Sequence, residues 1–181
     1  MKKLLLSAVC LACCAALFAA PAKAKKRVKP QAKKPAVQTV SFTLPLARTD
    51  APWSTRDYPG TPLLVAVLSA KCPYCRQTLP QLEEARRSLK DVQFVAVFVE
   101  ESPLEPLAVL KELNARLDAV YGGRSVAQTL GVNGYPNLFL YDSKHHLIKK
   151  WDGYSETRVK ELKDAAGGLE KEVTMVSVEG L

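Results

Sequence analysis

Leu63-Leu64-Val65-Ala66-Val67-Leu68-Ser69-Ala70-Lys71-Cys72-Pro73-Tyr74-Cys75 passes from six consecutive apolar residues into two cysteines separated by a dipeptide. A short apolar run bounded by turn residues reads as a central strand buried on both faces. Past the cysteines the period changes. Leu79, Leu82, Ala85 and Leu89 fall at helical spacing, with Glu83, Glu84, Arg86, Arg87 and Lys90 mostly on other faces, so a helix starts near the cysteine pair. Residues 92–99 form a second β-rich run, and two parallel strands joined by a helix make a right-handed crossover unit.

Working outward from that unit, Leu104, Leu107, Leu110, Leu113 and Leu117 outline a second helix, with Pro103 and Pro106 in its first turn or before it. A short extended piece around Val120 and a short helix over residues 124–130 follow. Residues 137–141 and 147–151 are strands joined by a tight turn, a hairpin. A last amphipathic helix is expected over residues 155–166, with Ser155 as N-cap and Val159, Leu162 and Ala166 inward. Gly167-Gly168 should then break the helix ahead of an alternating tail, residues 173–178, that suits an edge strand. Upstream, residues 37–44 alternate as a short edge strand does, and residues 45–62, rich in proline, read as a connecting loop.

The 181 residues suit one domain, and the first 36 do not read as part of it. Met1, Lys2 and Lys3 supply positive charge, residues 4–20 carry none, and Ala22-Lys23-Ala24 has the small-x-small pattern of a cleavage site, so residues 1–24 read as a secretory signal. The apolar run falls short of the roughly 20 residues of a membrane span, which makes a retained anchor the weaker reading. Residues 25–36 are a basic, Pro-containing linker kept open by its charge, and residues 37–181 are the folded domain. An anionic membrane surface is the partner such a linker suits. Nine of the 26 basic residues lie in the first 35 positions, and the remaining 17 meet 18 acidic ones, so the formal +8 charge belongs to the N-terminus. With a near-neutral domain and no recognition motif, nucleic acid is not an expected partner.

Cleavage after Ala24 removes Cys10, Cys13 and Cys14 and leaves Cys72 and Cys75. In an oxidising compartment cysteines are usually structural disulfides or redox catalysts. A pair this close staples almost nothing, because the stabilisation from cross-linking grows with the loop it closes. The order strand, Cys-Pro-Tyr-Cys, helix places Cys72 at a helix N-terminus, where unpaired N–H groups and the helix dipole favour a thiolate. Cys72 is then the nucleophile toward a substrate disulfide, and Cys75, one turn in, resolves the mixed disulfide. Pro73 suits the first helical turn.

These residues resemble the thioredoxin superfamily, and within it the exported TlpA-like reductases. The resemblance spans residues 61–166 and rests on the buried strand ending at Ala70, Cys72-Pro73-Tyr74-Cys75, Pro80 five residues further on, and Gly134-Tyr135-Pro136 before a strand. It implies an α/β thioredoxin fold, a central mixed β-sheet flanked by helices. It also implies that Pro136 is a cis-proline facing the cysteines, and that Tyr135, Pro136, Pro73 and Tyr74 meet the substrate. The expected activity is dithiol-disulfide exchange on exported proteins, more in the direction of reduction, with a membrane or exported redox partner and no cofactor or metal. One departure stands out. Thioredoxins carry a buried acid six residues before the first cysteine, where this chain has Ala66; Glu100 or Glu101 are the nearby substitutes.

A disulfide-forming oxidase remains open, because potentials across such proteins run from about −270 to about −120 mV. So does a copper or metal carrier, since Cys-X-X-Cys is half of a tetrahedral site and thiolates suit Cu(I), although His145 and His146 are adjacent in a turn and point apart. Both histidines are expected to be exposed and uninvolved in catalysis. Trp53 and Trp151 read as packing residues, and Lys71 and Arg76 as solvated neighbours of the cysteines.

Overall fold

A computed structural model describes residues 38–176; the signal and the linker lie outside the described residues. Among the described residues seven strands and four α-helices follow in order: β1 (Thr43–Pro45), β2 (Pro52–Ser54), β3 (Leu63–Leu68), α1 (Pro73–Ser88), β4 (Gln93–Phe98), α2 (Leu104–Glu112), β5 (Asp118–Val120), α3 (Arg124–Thr129), β6 (Asn137–Tyr141), β7 (Leu147–Asp152) and α4 (Arg158–Val176). Five of the strands form one mixed sheet in the order β5-β4-β3-β6-β7. β3, β4 and β5 are parallel, while β6 runs antiparallel to β3 and β7 to β6.

β3 is central and wholly buried, as its unbroken apolar run requires. Its alternate side chains feed two cores. Leu64, Ala66 and Leu68 pack with Leu79, Leu82 and Ala85 of α1 and Leu162 of α4, whereas Leu63, Val65 and Val67 pack with Val126 and Ala127 of α3 and with Trp53. The β3–β4 register pairs Leu68 with Phe98, so both strands end at the same level, and the cysteine turn emerges at that end.

The five-stranded sheet, α1, the hairpin β6–β7 and α3 match the sequence reading; four stretches differ. Residues 45–62 are not all loop. β2 folds back on β1 with Leu44 opposite Trp53, and Ser54 caps a 3-10 turn, Thr55–Asp57. Ahead of β1, regular pairing shrinks to a bridge between Thr39 and His146, so residues 38–42 are extended but not a strand. α2 stops at Glu112 because Asn114 turns left-handed (φ 49°) and the Ala115 amide closes back on Leu110 O at 2.9 Å. Leu117 therefore leads into β5, and Leu104 is exposed. α4 starts at Arg158, three residues later than expected, and runs through Gly167-Gly168 to Val176, which replaces the expected edge strand. Two glycines cost a helix only about 1 kcal/mol each relative to alanine, and Leu169 just beyond them packs on the core, which outweighs that cost.

Candidate active site

The N-terminus of α1 supports the site. Cys72 is the N-cap in an extended conformation (φ −88°, ψ 117°), and Pro73 takes the first helical position, where no amide donor is required. The Cys75 amide donates to Cys72 Sγ at 3.3 Å, and Cys72 Sγ reaches Tyr135 O at 3.5 Å. One sulfur thus sits between a helix terminus and the backbone just ahead of Pro136. The Tyr135–Pro136 bond is cis, Pro136 is buried and Tyr135 half-buried.

The two thiols are free and unlike. Cys72 is partly accessible, whereas Cys75 is buried against the α1 core. Burial pushes the Cys75 thiol far above its ordinary value, helped by its interaction with Cys72; the Ser69 backbone pulls the other way, and the nearby charges of Cys72 and Glu100 add to the rise. Cys75 accordingly stays protonated at neutral pH, so it needs a proton acceptor before it can act as a nucleophile.

Glu100 supplies a carboxylate at this place. Two residues beyond β4 it lies level with Ala70, two residues beyond β3, because the parallel register carries on past the strand ends. Glu100 Oε1 accepts from Ser69 Oγ at 2.8 Å and from the Ala70 amide at 3.0 Å. Its other oxygen, Oε2, is buried and has no hydrogen-bond partner among the described residues. Residues just past a strand end are normally solvated, and this one is half-buried instead. Glu101 is different: it is exposed and pairs with Arg124 at 3.5 Å.

Around the pair, Tyr74 is 58% exposed and stacks on Tyr154, ring centroids 6.0 Å apart. Sequence reasoning passed over Tyr154. Its loop turns at Gly153 (φ 72°), whose amide donates to Pro136 O at 2.8 Å while the buried Arg158 donates to its carbonyl at 3.0 Å. A chain turning back to the cis-proline is a long-range contact with no local motif. Leu104 is 73% exposed at the start of α2, and Lys71 pairs with Glu105 at 3.3 Å. Arg76 is held by Glu112. Neither cation faces the sulfurs as a free charge.

The other candidates fall elsewhere. β6 runs antiparallel to β3, so its end at Tyr141, and the turn after it, lie at the opposite end of the sheet from the cysteines. There His145 and His146 are half-buried rather than exposed: His145 Nε2 meets Tyr58 O at 3.2 Å, and His146 Nδ1 lies 3.3 Å from Asp142. Trp53 is buried on the hairpin and donates to Asp118 at 3.3 Å, and Trp151 packs in the core beneath Lys149. No group of three or more His, Cys, Asp or Glu among the described residues is placed to hold a metal ion.

A parallel βαβ unit, an antiparallel hairpin and a Cys-X-X-Cys turn facing a cis-proline define a thioredoxin-fold thiol-disulfide oxidoreductase. The family model "Redoxin" matches residues 30–169, and the chain belongs to that family. Solved structures agree on the fold. A Chlorobium tepidum protein assigned as the thiol:disulfide interchange protein DsbE superposes with a TM-score of 0.67 at 18% identity, covering 74% of this chain and 99% of that one. A secreted Mycobacterium tuberculosis disulfide oxidoreductase homologous to Escherichia coli DsbE gives 0.61 at 17%, covering 71% and 96%. StoA of Bacillus subtilis gives 0.59 at 17%, covering 72% and 98%. No curated protein matches the chain.

Proposed function

We propose that the chain is an exported protein that exchanges dithiols for disulfides on client proteins through Cys72 and Cys75, in the direction of client reduction. The observation that carries this reading is the placement of Cys72 Sγ between the α1 terminus and Tyr135 O. A client disulfide laid along the Tyr135 backbone meets that sulfur first. The Cys72 thiolate attacks, one client sulfur leaves as a thiolate, and a Cys72–client disulfide remains. Cys75 then gives up its proton and attacks Cys72 Sγ; the second client sulfur leaves, and the Cys72–Cys75 disulfide holds the oxidising equivalent until a redox partner removes it.

Tyr135, Pro136, Pro73 and Tyr74 form the client-binding edge. Tyr74 between the cysteines, and Leu104 next to the Glu105 that pairs with Lys71, are both exposed and suit a protein surface. Glu100 Oε2 is the acceptor of the Cys75 proton, the task a buried acid performs from another position in thioredoxins. Export rests on the signal-like residues 1–24 and on the secreted M. tuberculosis structure of the same fold. No helix among the described residues is long and apolar enough to cross a membrane. The linker, residues 25–36, separates the signal from the domain, residues 37–181, and suits an anionic membrane surface.

The test has two parts. Cys75→Ser expressed with its signal should accumulate mixed disulfides with exported proteins, and Cys72→Ser should not; equal trapping by both removes the assignment of nucleophile and resolving thiol. The equilibrium potential of the pair sets the direction. A value near about −270 mV supports a reductase, and one near about −120 mV makes the protein an oxidant.

A further inference from the structure

Ser69 belongs to no motif, yet it contacts both cysteines and Glu100. Its carbonyl accepts the Cys72 amide at 3.1 Å, and its backbone acts on the Cys75 sulfur. The hydroxyl oxygen accepts the Lys71 amide at 3.3 Å, which leaves its single proton for Glu100 Oε1, 2.8 Å away. With the Ala70 amide at 3.0 Å, that carboxylate oxygen already has two donors. Oε2 has none and is buried. A buried acceptor without a partner is costly, so the carboxylate is held in an orientation it would not adopt on its own account.

From this geometry we infer that Ser69 is a positioning residue for the resolving step: it occupies Glu100 Oε1 and so assigns Oε2 to receive the Cys75 proton. The inference rests on the exchange reading and on Glu100 as proton acceptor. In the step concerned, the Cys75 S–H bond breaks and its proton passes to Glu100 Oε2. The Cys75–Cys72 bond forms as the Cys72–client bond breaks, and the client sulfur departs with the electron pair. Reprotonation of the client thiolate returns Glu100 to its starting state. The client disulfide is reduced by two electrons and the protein dithiol oxidised by two. Loss of the hydroxyl frees the carboxylate to rotate and share the proton between two oxygens.

The experiment is a single-turnover reaction of the reduced protein with a cystine-bridged peptide, quenched with acid so that formation and decay of the mixed disulfide are timed separately. The quantity read is the ratio of the decay rate to the formation rate, with the formation rate also compared with that of the wild type so that an effect on Cys72 shows separately. Glu100→Gln should lower it by about a hundredfold, the lower end for a lost general base. Ser69→Ala should lower it roughly tenfold, as expected for one hydrogen bond to a charged group. Ser69→Thr, which keeps the hydroxyl, should restore it to within about twofold. On the Glu100→Gln background, Ser69→Ala should change nothing further. An unchanged ratio in Ser69→Ala with a lowered one in Glu100→Gln overturns the role of Ser69 and leaves Glu100 standing. An unchanged ratio in Glu100→Gln overturns both. Additive losses in the double variant overturn the inference too, because Ser69 would then act on the cysteine turn without Glu100.

Discussion

Cys72 and Cys75 differ by one helical turn, and that turn separates an accessible sulfur from one packed in the core. Only the outer thiol meets solvent, and burial keeps the inner one protonated. Brief treatment of the reduced protein with iodoacetamide at pH 7 should therefore label Cys72 at least about tenfold faster than Cys75, as peptide mass spectrometry would read out. Comparable labelling would mean that the turn opens in solution. This asymmetry was legible in advance, since N-cap and interior positions follow from where the strand ends and the helix begins. Glu100 was only half legible: the sequence shows an acid beyond β4, and the register alone brings it to Ser69 and Ala70.

α1 carries more than the cysteines. Glu83, buried on its inner face, bonds Arg86 one turn on and the amides of Arg116 and Leu117 at the entry to β5. Burial works to raise its carboxyl, but Arg86 and the two amides prevail and hold it below the usual carboxylate range. A carboxyl depressed by folding contributes stability above its unfolded value, about 4.3, and that contribution disappears as pH falls through the lower folded value. Acid unfolding of the wild type should accordingly set in below about pH 4.3, and Glu83→Gln should flatten that limb. At pH 7 Glu83→Ala should cost about 3 kcal/mol by urea unfolding, through the orphaned amides and the unpaired Arg86.

The segment leading into α3 makes a second testable contact. Gly123 runs so close to β4 that a Cβ there would stand 2.3 Å from Val97 Cγ1 and 2.9 Å from Phe98 O. Gly123→Ala should lower stability by about 1–3 kcal/mol, read as a shifted urea midpoint with an unchanged slope. An unshifted midpoint would mean that α3 moves outward freely. A short helix over residues 124–130 after an extended piece was legible here, but the close approach that requires glycine involves residues far apart in sequence and has no local signal.

Among the described residues, every member of the two packed cores lies between Val40 and Ala166, with Leu169 at the margin. A chain shortened to begin at Ala36 should therefore melt within about 2 °C of the longer one and keep its exchange rate, as calorimetry and insulin reduction would show. A drop of about 10 °C would mean that the first 35 residues stabilise the domain.

Local pattern was enough for β3, α1, β4 and the hairpin β6–β7, because the switch between periods of 2 and 3.6 is written in neighbouring residues and survives any tertiary arrangement. The place of the cysteine pair at the start of α1 was legible in the same way, whereas the cis bond at Pro136 was expected only from the resemblance to thioredoxins. Local pattern misplaced the ends of α2 and α4. Leucine spacing continued past Asn114, where backbone geometry stopped the helix, and Gly167-Gly168 suggested a stop that packing of Leu169 overrode. The partners of Glu100, the loop carrying Tyr154 and the half-burial of the histidines came only with the fold. Each depends on which strand lies beside which, and in what register. That choice is made by side chains dozens of residues apart burying one another, an energy that no short window of sequence contains.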